Sequence, residues 1–235
     1  MRPEKMRLFI AVASTVAFGM ALLADSVTPA GAQTLQRTQF EDGTGSIGLP
    51  PGWRITSVYR GTVNCVGPDG SAVILGQPWG IQIPGTLTEL PTYGKYPLAR
   101  TGDVVTALGE VLRKYGRATL RSVSGNPAPE AIRGVPAYYL LYDFEQNGRM
   151  MTGLGYFTTL SYGNSTPGWE LYSSAVVAPR EQFPQMVQTM LQMWRSWRPN
   201  GQEPREGSSS ALFDRLQQER QLSHERISRE FRKLL

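Results

Sequence analysis

Asn147-Gly148 sits between two long runs of strand-forming residues, Val135 to Gln146 and Arg149 to Leu160, and nothing else in the sequence leaves the chain so little freedom. A two-residue type I′ turn needs φ > 0 at both central positions, and asparagine followed by glycine supplies it. Closing there fixes the register: Glu145 faces Met150 and Asp143 faces Thr152. Because side chains alternate along a strand, Tyr138, Leu140, Tyr142 and Phe144 then share a face with Met151, Gly153, Gly155 and Phe157. Gly153 and Gly155 fall opposite Tyr142 and Leu140, whose large side chains can cover the missing ones. A long antiparallel hairpin with one apolar face needs further strands or a helix against it.

The flanking sequence offers both. Ser46 to Leu49 reads as an opening strand stopped by Pro50-Pro51-Gly52. Trp53 to Tyr59 alternates, Gly61 breaks it, and Thr62 to Val66 continues. Pro68-Asp69-Gly70 is a turn, with proline fixing φ and glycine accepting the positive value. Ala72 to Leu75 is a short apolar strand, and Trp169 to Val177 is another. One helix is expected where Val104, Val105, Leu108, Val111, Leu112 and Tyr115 recur at a period of 3.6, capped by Thr101 or Asp103 and stopped by Gly116. A second starts near Pro184, with Met186, Val187, Met190, Leu191, Trp194 and Trp197 on its apolar face. Core packing against the sheet is the expected use of that face; a methionine-rich binding groove is the alternative. The order of elements specifies an α+β fold, an antiparallel sheet flanked by helices.

The two ends read differently. Arg2, Lys5 and Arg7 precede an apolar run from Leu8 to Leu23, too short for a span of about 20 residues. Ala30-Gly31-Ala32 then supplies small residues for a signal peptidase, so residues 1–32 are expected to be a cleaved signal peptide; an uncleaved anchor is the competing reading. The expected compartment is the periplasm or the outside of a bacterial cell, with no membrane association after cleavage. Residues 33–200 form the sandwich domain, 201–210 (Gly, Glu, Pro and Ser-rich) a linker, and 211–235 a charged amphipathic helix. Leu212, Phe213, Leu216, Ile227, Phe231 and Leu234 share its stripe, interrupted by Arg220 and Ser223. From Glu203 onward seven basic residues face six acidic ones, which gives anionic lipid little to attract.

Composition narrows the chemistry. The single cysteine, Cys65, rules out an intramolecular disulfide, so the core must hold the fold. In a strand-like run without a nearby histidine, Cys65 reads as a buried apolar residue rather than a reactive thiol. The single histidine, His224, lies in the tail, which leaves no place for a Ser-His-Asp centre or a histidine-rich metal site. No cofactor is expected. The net charge of +5 is scattered, so nucleic acid is not an expected partner. Gly43-Thr44-Gly45-Ser46-Ile47-Gly48 has the spacing of a dinucleotide loop, yet no strand is read before it, and prolines stand where the helix should begin. Asn164-Ser165-Thr166 is a glycosylation sequon that matters only in a eukaryote.

Two passages resemble the PsbP-like α/β/α sandwich family. One is Ser46-Ile47-Gly48-Leu49-Pro50-Pro51-Gly52-Trp53. The other runs from Trp169-Glu170-Leu171-Tyr172 to the helix closing at Met190-Leu191-Gln192-Met193-Trp194-Arg195-Ser196-Trp197. The likeness covers about residues 40–200 and leaves out the tail. It implies a mostly non-catalytic accessory or binding role and no shared active-site motif; fold analogy of this kind is a weak warrant for function.

Two function classes follow. In the first, an exported binding protein meets an envelope or secreted partner through Trp79, Tyr93, Lys95 and Tyr96 in a loop read over residues 76–100, and through Leu212, Leu216, Ile227 and Phe231 of the tail. The loop aromatics have an alternative use, folding back over an open sheet edge. In the second class, Asp143 and Glu145, two apart on one strand face and so about 7 Å from each other, serve as the acids of an unusual hydrolase or carbohydrate-active enzyme.

Overall fold

The computed structural model describes residues 34–86, 95–128, 135–161 and 168–200. In chain order these form β1 (Gln36–Gln39), β2 (Gly45–Leu49), β3 (Arg54–Tyr59), β4 (Thr62–Val66), β5 (Ala72–Gln82), α1 (Val104–Tyr115), β6 (Ala118–Pro127), β7 (Ala137–Gln146), β8 (Arg149–Ser161), β9 (Gly168–Pro179), α2 (Phe183–Ser196) and β10 (Arg198–Pro199). The signal peptide, the linker, the C-terminal helix, Tyr93 and the sequon lie outside the described residues.

The hairpin forms in the expected register. Asn147 and Gly148 take φ of +52° and +74°, Asp143 pairs with Thr152, and Glu145 pairs with Met150. β7 and β8 sit within a seven-stranded antiparallel sheet of order β3-β4-β5-β9-β8-β7-β6, and a small sheet β1-β2-β10 lies beside it. Leu140, Tyr142, Phe144, Met151 and Phe157 bury their side chains with Val104, Ala107, Leu108 and Val111 of α1. Tyr139, Leu154, Tyr156, Val176 and Ala178 point the other way and pack with Val187, Met190, Leu191 and Trp194 of α2. Neighbouring strand residues face opposite sides, so the helices cover opposite faces of the sheet. This is the α+β architecture that the order of elements specified. The Tyr142 ring occupies the space a Cβ on Gly153 would need, so the aromatic ring replaces the absent side chain.

α1 is capped by Asp103, whose Oδ1 accepts from the Thr106 amide at 3.0 Å, and it ends at Gly116. Of its predicted apolar face, Val104, Leu108 and Val111 are buried, whereas Val105 and Tyr115 are 46% and 50% exposed. Ala107 takes part of the core instead, because the helix crosses the sheet with its Val104–Ala107–Val111 side down. In α2, Met190 and Met193 are fully buried, so its methionines serve the core. Trp197 closes the helix: its Nε1 donates to the Gly61 carbonyl at 3.0 Å, and Ser196 Oγ accepts from the Gly48 amide at 2.7 Å.

Three expectations are corrected. A strand, β1, does precede Gly43–Gly48, and Gly45 and Gly48 are themselves residues of β2. A Cβ on Gly45 would lie 2.7 Å from the Arg198 carbonyl oxygen, so this glycine admits a neighbouring chain. β6 falls where no strand was read, since an edge strand rich in Ser, Gly, Asn and Pro shows no core pattern. Most consequential, β5 does not stop at Leu75 but continues to Gln82, through the first part of the segment read as a loop.

Candidate functional site

Gly76 makes that continuation possible. Along β5 the pairing with β9 steps from Ile74↔Ala175 to Gln77↔Ser173, three residues against two, which is a β-bulge. Gly76 takes φ +75°, a conformation a side chain resists, and its amide donates to Ser174 Oγ at 2.9 Å. The extra residue inverts the alternation. Val73 and Leu75 therefore face the α2 core, while Trp79 and Ile81 face the α1 side.

Trp79 is held from two directions. Its Nε1 donates to Ser173 Oγ at 2.9 Å, and its ring stacks on Tyr115 with centroids 5.3 Å apart and planes 24° from parallel. Past the turn, the chain returns alongside Gln82. The Gln82 amide donates to the Pro97 carbonyl at 2.9 Å, and the Ala99 amide donates to the Gln82 carbonyl at 3.0 Å. This return sets the Tyr96 ring 3.8 Å from where a Cβ on Gly80 would lie. Burial, and secondarily the neighbouring Tyr96, push the Tyr115 hydroxyl above the usual phenol range. Tyr96 is 45% and Tyr115 50% exposed, so both rings reach the surface at this end of β5.

Of the residues picked from the 76–100 segment, the fold sets Trp79 on β5 and Tyr96 against the next residue, Gly80, places exposed Lys95 beside Tyr96 in the chain, and leaves Tyr93 outside the described residues. Tyr115 is the residue that stacks on Trp79. Helical periodicity assigned it to the core; its signal was its place as the last residue before Gly116, where a helix side chain overhangs the end of the layer. Tail residues Leu212, Leu216, Ile227 and Phe231 lie outside the described residues.

The two carboxylates on β7 each have partners of their own. Asp143 Oδ1 accepts from Thr152 Oγ1 at 2.6 Å, its Oδ2 accepts from Ser122 Oγ at 3.2 Å, and Arg180 stands 3.8 Å away. Glu145 pairs with Arg121 at 2.5 Å. Cys65 is fully buried, and burial pushes its thiol up to about 12. Among the described residues, no three His, Cys, Asp or Glu side chains group as metal ligands.

No family model and no curated protein matches the chain. Among solved structures it is similar to a cyanobacterial PsbP from Synechocystis, at 17% identity over 72% of this chain and 94% of that one, with a TM-score of 0.37. It is also similar to LpqN, involved in cell envelope biogenesis of Mycobacterium tuberculosis, at 12% identity over 71% and 90% of the two chains, with a TM-score of 0.33. A mutant of the protein Mog1 is similar at 9% identity over 77% and 100%, with a TM-score of 0.35. A PsbP thus stands among the chain's structural neighbours, and PsbP-like proteins are the family its two passages resemble. At these TM-scores the likenesses carry no argument about function. The class of protein is set by the architecture itself, an antiparallel sheet between two helices.

Proposed function

We propose that this is an exported, non-enzymatic accessory or binding protein that works through protein–protein contacts in the periplasm or outside the cell. The observation that carries the reading is the Trp79–Tyr115 stack, which reaches the surface through Tyr115, with exposed Tyr96 against the neighbouring Gly80. Tyrosine and tryptophan supply large contact areas with few rotatable bonds, and they dominate the energetics of many interfaces. Here Trp79 is already fixed by a stack and a hydrogen bond, so little side-chain entropy remains to be lost on contact. The 211–235 helix, tethered by its linker, is the second proposed contact element. Among the described residues no helix is long and apolar enough to cross a membrane.

The test is affinity capture from the native envelope fraction with chain 33–235, the same chain carrying Trp79→Ala, and a chain ending at Asn200. A partner that full-length protein retains and Trp79→Ala loses supports the stack as the contact. One that needs only residues beyond Asn200 moves the contact to the tail. Turnover of any substrate that a single carboxylate substitution abolishes would sink the non-enzymatic reading.

A further inference from the structure

One part of the sheet belongs to neither core. α1 lies over β6, β8 and β9, and the core beneath it reaches outward as far as Val177 on β9. Beyond it on the same side come Val66 and Arg54, then Ile74, Asn64 and Ser57, then Tyr59. Their neighbours Val63, Cys65, Val73 and Leu75 point the other way, into the α2 core. Val66 and Ile74 are half-buried and pack in neither core, and Tyr59 is 62% exposed. Asn64 Nδ2 donates to Ser57 Oγ at 2.9 Å, and the Arg60 guanidinium lies 5.1 Å from the centre of the Tyr59 ring. Residues 87–94 leave and re-enter near Gly80 and Gln82. That is about 20 to 27 Å along β5 from Ile74, whereas eight residues out and back reach about 15 Å.

The chain's own C-terminal segment is within reach. The domain ends at Asn200, whose amide donates to the Thr44 carbonyl and whose Nδ2 donates to the Gly43 carbonyl, each at 2.8 Å. Pro199 packs on Gly61, where an added Cβ would lie 3.2 Å from the proline Cβ, and Gly61 is two residues past Tyr59. The exit therefore stands about 10 Å from the Tyr59 corner of the face. A flexible linker of the length of 201–210 spans about 16 to 19 Å, which holds the segment after it at a millimolar local concentration over this face. The face measures about 10 Å across the strands and about 14 Å along them, the length of about ten helical residues. Within residues 211–220 stand Leu212, Phe213 and Leu216, and Arg220 then ends the apolar stripe, which resumes at Ile227 beyond Ser223. Asp214 and Glu219 balance Arg215 and Arg220, so apolar contact rather than charge must hold this segment. We infer that residues 211–220 dock in cis on the Tyr59–Val66–Ile74 face. The break in the stripe divides the tail into a half that anchors it and a half, Ile227 to Leu234, left for a partner. That second half rests on the reading of the tail as a contact element; the docking does not.

The test places a nitroxide on Arg54→Cys, the corner farthest from the exit, in the isotope-labelled full mature chain. Cys65 escapes labelling because it is fully buried and its thiol is pushed up to about 12. The amide signals of residues 211–220 should broaden more than those of 201–210, and the maximum should persist as salt rises. Leu212→Asp with Leu216→Asp, both outside the domain, should abolish the maximum and leave the domain's own signals in place. Tyr59→Asp, at an exposed edge position, should do the same. Broadening that declines steadily from Gly201, as an undocked chain gives, overturns the inference, as does a maximum that survives the paired aspartates. So does a maximum in a mixture where nitroxide and isotope sit on different chains, which would put a second copy's tail on the face. If no maximum appears while envelope capture still needs residues beyond Asn200, the tail remains a contact element and only its resting place is lost. If the maximum appears while capture ignores the tail, docking stands and the partner-binding half falls.

Discussion

Gly76→Ala should be among the most damaging single-methyl additions in the protein, and its cost can be worked from two terms. An alanine held at φ +75° sits in the left-handed region, which costs about 1 to 2 kcal/mol. Its Cβ would also lie 2.9 Å from the Tyr172 hydroxyl oxygen and 3.0 Å from Trp197 Cη2, two buried rings with little room to retreat. Overpacking of that kind costs about 1 to 3 kcal/mol. The combined loss is about 2 to 5 kcal/mol, so with a urea m-value of about 3 kcal/mol per M the unfolding midpoint should fall by about 0.7 to 1.7 M. Equilibrium urea unfolding measures this directly. Repeating the substitution in a Tyr172→Phe background, which removes the nearest oxygen, should recover about 1 kcal/mol as a coupling energy. A fall of less than about 0.3 M, or no coupling, would refute the claim that Gly76 is forced by both its backbone and those rings. Native Trp79 emission should stay unchanged, since the bulge is held by the β4 and β9 ladders on either side. A shift to the emission of a solvated indole would show instead that the strand had straightened and turned Trp79 over.

Burial that pushes the Cys65 thiol from 9.0 up to about 12 should block its alkylation at about pH 8 until urea unfolds the chain, as measured by mass. The raised value also sets a sign. The thiol's contribution to stability is complete below pH 9, where neither state ionises, and is lost as pH rises through about 12. Urea midpoints should therefore fall above pH 9 with a slope that Cys65→Ala lacks. Asp103→Ala removes the acceptor of the Thr106 amide and should cost about 1 kcal/mol, read as a loss of about 2 to 4 °C in melting temperature. Tyr115→Ala should leave the fold within about 1.5 kcal/mol of the parent, because the ring is half exposed. It should nonetheless move Trp79 emission to longer wavelength by uncovering one face of the indole.

Elements whose own residues settle their conformation were legible in the sequence. The turn at Asn147-Gly148 admits one hairpin register, Asp103 and Gly116 bracket α1, and β4 runs from Thr62 to Val66 as read. Elements formed because a neighbour offers hydrogen bonds were not. β1 is Gln-Arg-Thr-Gln, and β6 ends in Ser-Gly-Asn-Pro; each borrows its conformation from the strand beside it and shows no apolar alternation. Exposure of Val105 and Tyr115 was hidden for a related reason. Periodicity gives the apolar stripe of a helix but not how far the sheet beneath it extends, so the stripe's margins at Val105 and Tyr115 remain uncovered.

The same reasoning accounts for the candidate site. Alternation read through Ala72–Gln82 breaks at Gly76, and a glycine before Gln-Pro-Trp-Gly looks like the end of a strand. In the fold the break is one extra residue, and it gives β5 two duties: its first half lines the α2 core, and its second half carries Trp79 to the other face. The consequence for function is mechanical. A tryptophan on a loop must be ordered when it binds, whereas this one stands on a strand paired residue by residue with β9, from Gln77↔Ser173 to Gln82↔Gly168. Its orientation is fixed before any partner arrives, and preorganisation of that kind raises affinity without adding a contact. The bulge that obscured the site in the sequence is thus the feature that aims it.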